Sequence, residues 1–308
     1  MTIALINTQI TIITYLVFGF ILYKAKIITP HAQVFISDIM IDVLLPCSVF
    51  ASVLSGLTID LLVQLGAILA IGIGLEIILF LLTKLPIGNM DISEANVNHY
   101  GMLVSNGGLV GTPVIESLFG PVGVMCCNVF LIPTRVMAYS AGESIFNPQL
   151  KRTYKEVIYS ILTNKIIIVM VLGIICVFLH INIPEPIYSA ISKIGGCLAP
   201  FSLMLIGSML AQYGGFDFSL LKKILSISII RLFIIPLAAL GVCLFCQLDF
   251  QSTAIVVLLM GMPVGSTCAS FAKKYKGNEK YATNVVLIST LASTITLVIL
   301  MRIIEIFF

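Results

Sequence analysis

Two stretches of this sequence set small, polar and backbone-bending residues inside apolar runs. One reads Gly101-Met-Leu-Val-Ser-Asn-Gly-Gly-Leu-Val-Gly-Thr-Pro113 and the other Gly261-Met-Pro-Val-Gly-Ser-Thr-Cys-Ala269. Proline lacks an N–H and clashes with the preceding helical turn, while glycine tolerates unwound backbone. A helix broken this way leaves N–H groups at one half-helix start and carbonyls at the other half-helix end. The N-terminal ends carry partial positive charge and suit a carboxylate. A structural proline kink explains one such stretch. Two of them in matching places point to a site built from crossing broken helices.

Ionisable groups inside apolar segments are the next candidates, because burying them in lipid is expensive. Asp38 and Asp42 lie one helical turn apart and share a face. They read either as a proton or cation site or as an interfacial pair facing Lys24 or Lys26. Glu116 follows the first broken stretch and reads as a coupling carboxylate or a satisfied structural acid. Arg135 either attracts an anion or pairs with Glu143 or Glu116. Glu76 and Arg231 lie deep in their segments and read as a structural ion pair, since pairing offsets the burial of either charge. His31, His99 and His180 lack metal-ligand spacing, and the eight cysteines include no CxxC pair. No metal site and no cofactor are expected. The cysteines read as reduced core residues. No P-loop, HExxH or nucleophile–base arrangement is visible, so ATP drive and catalysis are not expected, and nothing calls for a nucleic-acid partner.

The elements that must hold these residues follow from composition. Of 308 residues, 59% are hydrophobic and only 10% are charged, too few charges for the surface of a soluble domain. Lipid is the solvent, and a span needs roughly 20 apolar residues. Ten spans are predicted: Ile3–Tyr23, Val34–Leu54, Leu61–Leu82, Val97–Phe119, Val122–Phe146, Tyr159–His180, Ile187–Ala211, Ser219–Cys246, Thr253–Ala272 and Tyr281–Ile304. Most of the 17 Lys and Arg fall in or beside the loops after odd-numbered spans, among them Lys84, Lys151, Arg152, Lys222, Lys223 and Lys273 to Lys280. The positive-inside rule then puts both termini outside a cell membrane.

The chain also repeats itself. Gly19 and Gly173, Pro30 and Pro184, and Pro46 and Pro200 share one separation of 154 residues. The expected organisation is a first five-helix repeat over 1–146, a short linker over 147–158 and a second repeat over 159–308. An odd number of spans per repeat inverts the second copy, and such repeats imply alternating access around a midplane site.

These residues carry a resemblance. Pro46, Ser105-Asn-Gly-Gly-Leu-Val-Gly-Thr-Pro113, Ala199-Pro200 leading into Gly207, Gly261-Met-Pro263 and the basic Lys273-Lys-Tyr-Lys276 resemble the auxin efflux carrier family, over nearly the whole chain. The resemblance implies a ten-span all-α membrane protein with a scaffold domain and a transport domain. It implies that spans four and nine cross at Pro113 and Pro263, and that Asn106 is the crossover asparagine holding a substrate carboxylate. The substrate-binding set is then Asn106, Gly107, Gly108, Gly111, Thr112, Pro113, Gly261, Pro263, Gly265, Ser266 and Arg135, with Asp38, Asp42 and Glu116 as coupling candidates. The long loop of the plant carriers is absent, so neither its regulation nor auxin as substrate is implied. The expected function is secondary transport of a small organic anion, with efflux favoured by the membrane potential. The alternatives are a proton- or sodium-coupled carrier of another substrate, or a sensor or channel on the same scaffold. The expected partners are the anion and the bilayer, with a homodimer left open.

Overall fold

A computed structural model describes residues 2–86, 90–150, 153–212 and 220–308. Lys151 and Arg152 of the expected basic loop, and Ser219 at the expected start of span eight, lie outside the described residues. The described residues are helical and form no strand; one isolated antiparallel bridge joins Ser105 and Val264. The helices are α1 Thr2–Lys24, α2 Pro30–Ile39, α3 Leu45–Gly56, α4 Ile59–Leu82, α5 Ile92–Leu103, α6 Thr112–Met137, α7 Glu143–Phe146 and α8 Tyr154–Leu162. They continue as α9 Lys165–Phe178, α10 Glu185–Gly196, α11 Leu198–Gln212, α12 Leu221–Ile229, α13 Ile235–Phe245, α14 Phe250–Met260, α15 Thr267–Lys274 and α16 Glu279–Phe307.

Their ends follow local chemistry. Thr29, Asn164, Asp249 and Asn278 accept from the first free N–H groups of α2, α9, α14 and α16, as N-caps do. The chain leaves α1, α9, α13 and α15 through left-handed residues, Lys26 (φ 61°), His180 (φ 53°), Gln247 (φ 54°) and Lys276 (φ 54°). The N–H after each returns to a carbonyl of the last turn, as Ile27 does to Leu22 (3.0 Å) and Gly277 to Ala272 (2.7 Å), closing the helix in a Schellman manner. Three widened π turns, Met40–Leu44, Gly107–Gly111 and Ile230–Ile234, come two residues before Pro46, Pro113 and Pro236. Each proline has no N–H for the carbonyl four residues back, and its ring pushes that carbonyl aside, so the turn widens.

Among the described residues, six helical stretches are long and apolar enough to cross a membrane: Pro30–Gly56, Asp60–Leu82, Gly107–Phe146, Glu185–Gln212, Leu221–Phe245 and Glu279–Phe307. Ile10–Lys24, Lys165–Phe178 and Phe250–Met260 are apolar but shorter. The expected ninth span is interrupted at Gly261–Ser266, leaving α14 with 11 residues and α15 with 8. At ~1.5 Å per residue α14 covers only about half of the ~30 Å hydrocarbon layer. Gly120 (φ 60°, ψ −153°) breaks α6, a backbone that a side chain would strain.

The chain forms two compact units, and neither is one of the expected halves. The first joins Met1–Leu62, Thr112–Asn128 and Leu162–Phe216; the second joins Val63–Gly111, Val129–Ile161 and Asp217–Phe308. In the first unit α1 and α11 approach through reciprocal glycines. A Cβ on Gly19 would lie 1.9 Å from the Met204 carbonyl oxygen, and one on Gly207 would lie 1.9 Å from that of Leu16. Small residues permit such backbone contact between membrane helices. All eight cysteines are free thiols. Cys126, Cys127, Cys243 and Cys268 are core residues, but Cys197 and Cys246 are exposed, so a core role fits only part of the set.

Candidate functional site

The second unit contains the two interrupted helices. α5 stops at Leu103 and Val104 turns extended (φ −115°, ψ 115°). α14 stops at Met260, and the chain is non-helical until Thr267. The two extended segments pair antiparallel across Ser105 and Val264. Asn106 N–H donates to the Pro263 carbonyl (2.8 Å), and Gly265 N–H donates to that of Val104 (3.0 Å). Pro263 therefore serves as an acceptor, where its missing N–H is no loss. The pairing is deeply buried, with Val264 and Met262 at 0% exposure. Buried backbone needs such partners. Glycine allows the close approach: a Cβ on Gly101 would sit 3.1 Å from Val264 Cγ2.

Arg231 braces the crossing. It lies in the π turn between α12 and α13 and is 1% exposed. Its Nε donates to the Met262 carbonyl and its Nη1 to the Met102 carbonyl, each at 3.0 Å. One guanidinium thus satisfies a carbonyl from each interrupted segment, which its planar fork of donors suits. Val264 N–H donates to Ser289 Oγ of α16 (3.2 Å), and Tyr100 and Thr267 share a hydrogen bond of 2.6 Å.

Asn106 stands at the head of the π turn that follows. Its carbonyl accepts from Val110 (3.0 Å) and Gly111 (3.2 Å). The residue is 7% exposed, and its amide, which makes no side-chain hydrogen bond among the described residues, is not among the fully buried partnerless groups. Two residues on, a Cβ at Gly108 would meet nothing within 4 Å. An unengaged amide on a buried residue, beside open space and a helical start, is an arrangement for an anion or a polar group.

The family model described as "Membrane transport protein" matches residues 4–156 and 146–301. The chain belongs to this membrane transport family, that of the auxin efflux carriers. No curated protein matches it. With its apolar helices, this transport protein is a multi-pass membrane protein.

The other residues singled out in the sequence are distributed as follows. Gly107, Gly111, Gly261, Gly265 and Ser266 of the transport protein lie in or next to the two interruptions. The crossing falls on Ser105 and Val264, so Pro113 is not at it; Pro113 opens α6 in the first unit. The pairing needs extended residues on both sides, and Pro113 is already helical. Thr112, fully buried, lies with Oγ1 3.5 Å from Cys127 Sγ. Glu116 is half-buried, and its Oε2 has no partner among the described residues. Asp38 is exposed. Asp42 pairs with Lys165 at 2.6 Å, which corrects the expected partners Lys24 and Lys26. Arg135 occupies the last turn of α6.

Glu76 and Arg231 are both buried in the second unit but form no ion pair, against expectation. Glu76 Oε1 accepts from Thr134, its Oε2 has no partner among the described residues, and Arg231 donates through Nε and Nη1 to carbonyls. The broken helices offer unmade carbonyl bonds, and these compete for the guanidinium. Sequence reasoning missed this role. The signal for it was Pro236, which widens the turn that carries Arg231.

At the basic end of the same unit, Glu143 accepts from Lys274 Nζ (2.9 Å) and Tyr275 OH (2.5 Å). The hydrogen bond to Glu143, then that with Tyr275, holds the Lys274 ammonium above its usual pKa. A raised lysine contributes stability in full below its unfolded value of ~10.4 and loses it as pH rises through the folded value. The melting-temperature difference between wild type and Glu143→Gln should therefore stay constant from about pH 6 to 9 and narrow only above the ordinary lysine range. Narrowing near pH 7 would assign the contact to another group.

Proposed function

We propose that this protein is a ten-span secondary transporter of two inverted five-helix repeats, lying in the cell membrane with both termini outside. It moves a small organic anion, a carboxylate, by alternating access around the crossing of Val104–Gly111 with Gly261–Ser266. The observation that carries the substrate reading is Asn106: a buried residue whose amide makes no side-chain hydrogen bond among the described residues, at a helical start, next to the open side of Gly108. A carboxylate would accept from the amide and from the N–H groups of Gly108 and Leu109, where the helix dipole favours negative charge.

Paired local features support the repeat reading. The left-handed caps Lys26 and His180 are 154 residues apart, like the prolines. Gly19 packs on Met204 and Gly173 on Val53 and Phe50, and Phe50 and Met204 are again 154 apart. The matching interruption of α5 and α14 supports a midplane site, because unwound backbone at depth must be buried or line a cavity. Proton coupling is a second reading, favoured by the partnerless, buried Oε2 of Glu116; Asp42 is occupied by Lys165.

The test is counterflow of labelled mono- and dicarboxylates in liposomes. Wild type should give saturable counterflow. Asn106→Ala should raise half-saturation roughly 10- to 100-fold, the loss of one charged hydrogen bond. Wild-type folded protein without counterflow of any acid would sink the anion reading, and an Asn106→Ala variant with unchanged kinetics would move the site elsewhere.

A further inference from the structure

A cavity of about 470 Å³ lies within the second unit, away from the interruption at Asn106. Its walls are Leu82, Leu85, Met90, Met102, Ile227 and Ile230, from the end of α4 and the chain after it, from α5 and the chain before it, and from the end of α12 and the π turn that follows. The volume is that of a small-ligand site, ~300–1,000 Å³. It opens beside exposed apolar surface: Leu85 is 57% exposed and Ile229 52%.

The polar groups of this cavity are not distributed at random. Lys222, Lys223 and Ser226 line one side. Glu94 takes Lys223 at 2.7 Å, while among the described residues no acid pairs with Lys222. Among the described lining residues and their ion-pair partners, Lys222 is left as one net positive charge. Lys222 stands in the first turn of α12. Deeper in, Asn98 is 3% exposed and lines the cavity. Its carbonyl accepts from Tyr281 OH (3.0 Å), and among the described residues its amide nitrogen donates to the sulfur of Met90 at 3.4 Å. Thioether sulfur is a weak acceptor, so a nine-tenths buried donor is left under-used at the cavity wall.

An apolar trough, a cationic rim and an under-used buried donor do not suit a small soluble anion, for which the apolar walls would be wasted. They suit an amphiphile with an anionic head. We propose that this cleft holds one acyl chain of an anionic phospholipid, with the headgroup phosphate against Lys222 and the ester region within reach of Asn98. Basic pockets between membrane helices take anionic headgroups by this chemistry. The site touches the crossing indirectly, since Met102 lines the cavity and its carbonyl is held by Arg231. Occupancy should therefore stabilise the second unit, as any ligand of the native state does.

The experiment needs no transport substrate, so it stands apart from the carboxylate reading. The purified full chain in detergent is titrated with phosphatidylglycerol or with phosphatidylcholine of the same chains. Bound lipid is read by native mass spectrometry and thermal stability in parallel. Wild type should retain one phosphatidylglycerol in preference to phosphatidylcholine and melt higher with it. Lys222→Ala, a change at an exposed side chain, should weaken retention roughly fivefold, the effect of one lysine near an anionic headgroup. Ser226→Trp, which fills the cavity and leaves Lys222 in place, should lose phosphatidylglycerol. Equal retention of the two lipids would overturn the proposal, and so would undiminished retention in either variant. Inorganic phosphate that displaces phosphatidylglycerol at matched concentration would overturn it too, making the rim a soluble-anion site.

Discussion

Arg231→Met is expected to leave little folded protein. Methionine keeps most of the volume but removes the donors that reach Met102 and Met262. Both carbonyls belong to segments that no helix can satisfy, and each unsatisfied buried acceptor costs about 1–3 kcal/mol. Removing one member of a buried polar set typically costs ~3–5 kcal/mol, a large part of the ~5–15 kcal/mol that holds a domain. Arg231→Lys should recover only part, because a single ammonium lacks the fork that spans two carbonyls. Thermal unfolding in detergent, with the yield of monodisperse protein, measures both. Glu76 supplies the discriminating control. Its own hydrogen bond is to Thr134. Glu76→Gln keeps that acceptor and should be tolerated, but should not rescue Arg231→Met. Rescue would mean that an ion pair, not the carbonyl brace, is the reason for the arginine.

Gly19→Ala and Gly207→Ala should each disrupt the first unit. The added Cβ would sit 1.9 Å from a carbonyl oxygen of the facing helix. Overpacking ordinarily costs about 1–3 kcal/mol because a side chain can yield. Here the obstacle is main chain, so α1 and α11 must separate along their whole contact, and the loss should exceed that range. Gly66→Ala is the matched control within α4, since a Cβ there meets nothing within 4 Å. It should stabilise by about 0.5–1 kcal/mol by lowering the backbone entropy of the unfolded chain. Equal melting temperatures for Gly19→Ala and Gly66→Ala would refute the close packing of α1 on α11.

The medium, the helical class and the places where helices fail were legible in the sequence, because each depends on neighbours along the chain. Ten per cent charge cannot cover a soluble surface. Pro263 with Gly261 and Gly265 cannot continue a helix. Partners across long separations were not legible. Asp42 meets Lys165 rather than Lys24, the crossing falls on Ser105 rather than Pro113, and Arg231 takes two carbonyls rather than Glu76. The compact units likewise combine segments of both halves. Composition and spacing determine what each segment needs to satisfy: an apolar face, a missing N–H, a buried charge. Which distant group satisfies it depends on a competition among all groups the fold brings within hydrogen-bond reach, and only the tertiary structure decides that competition.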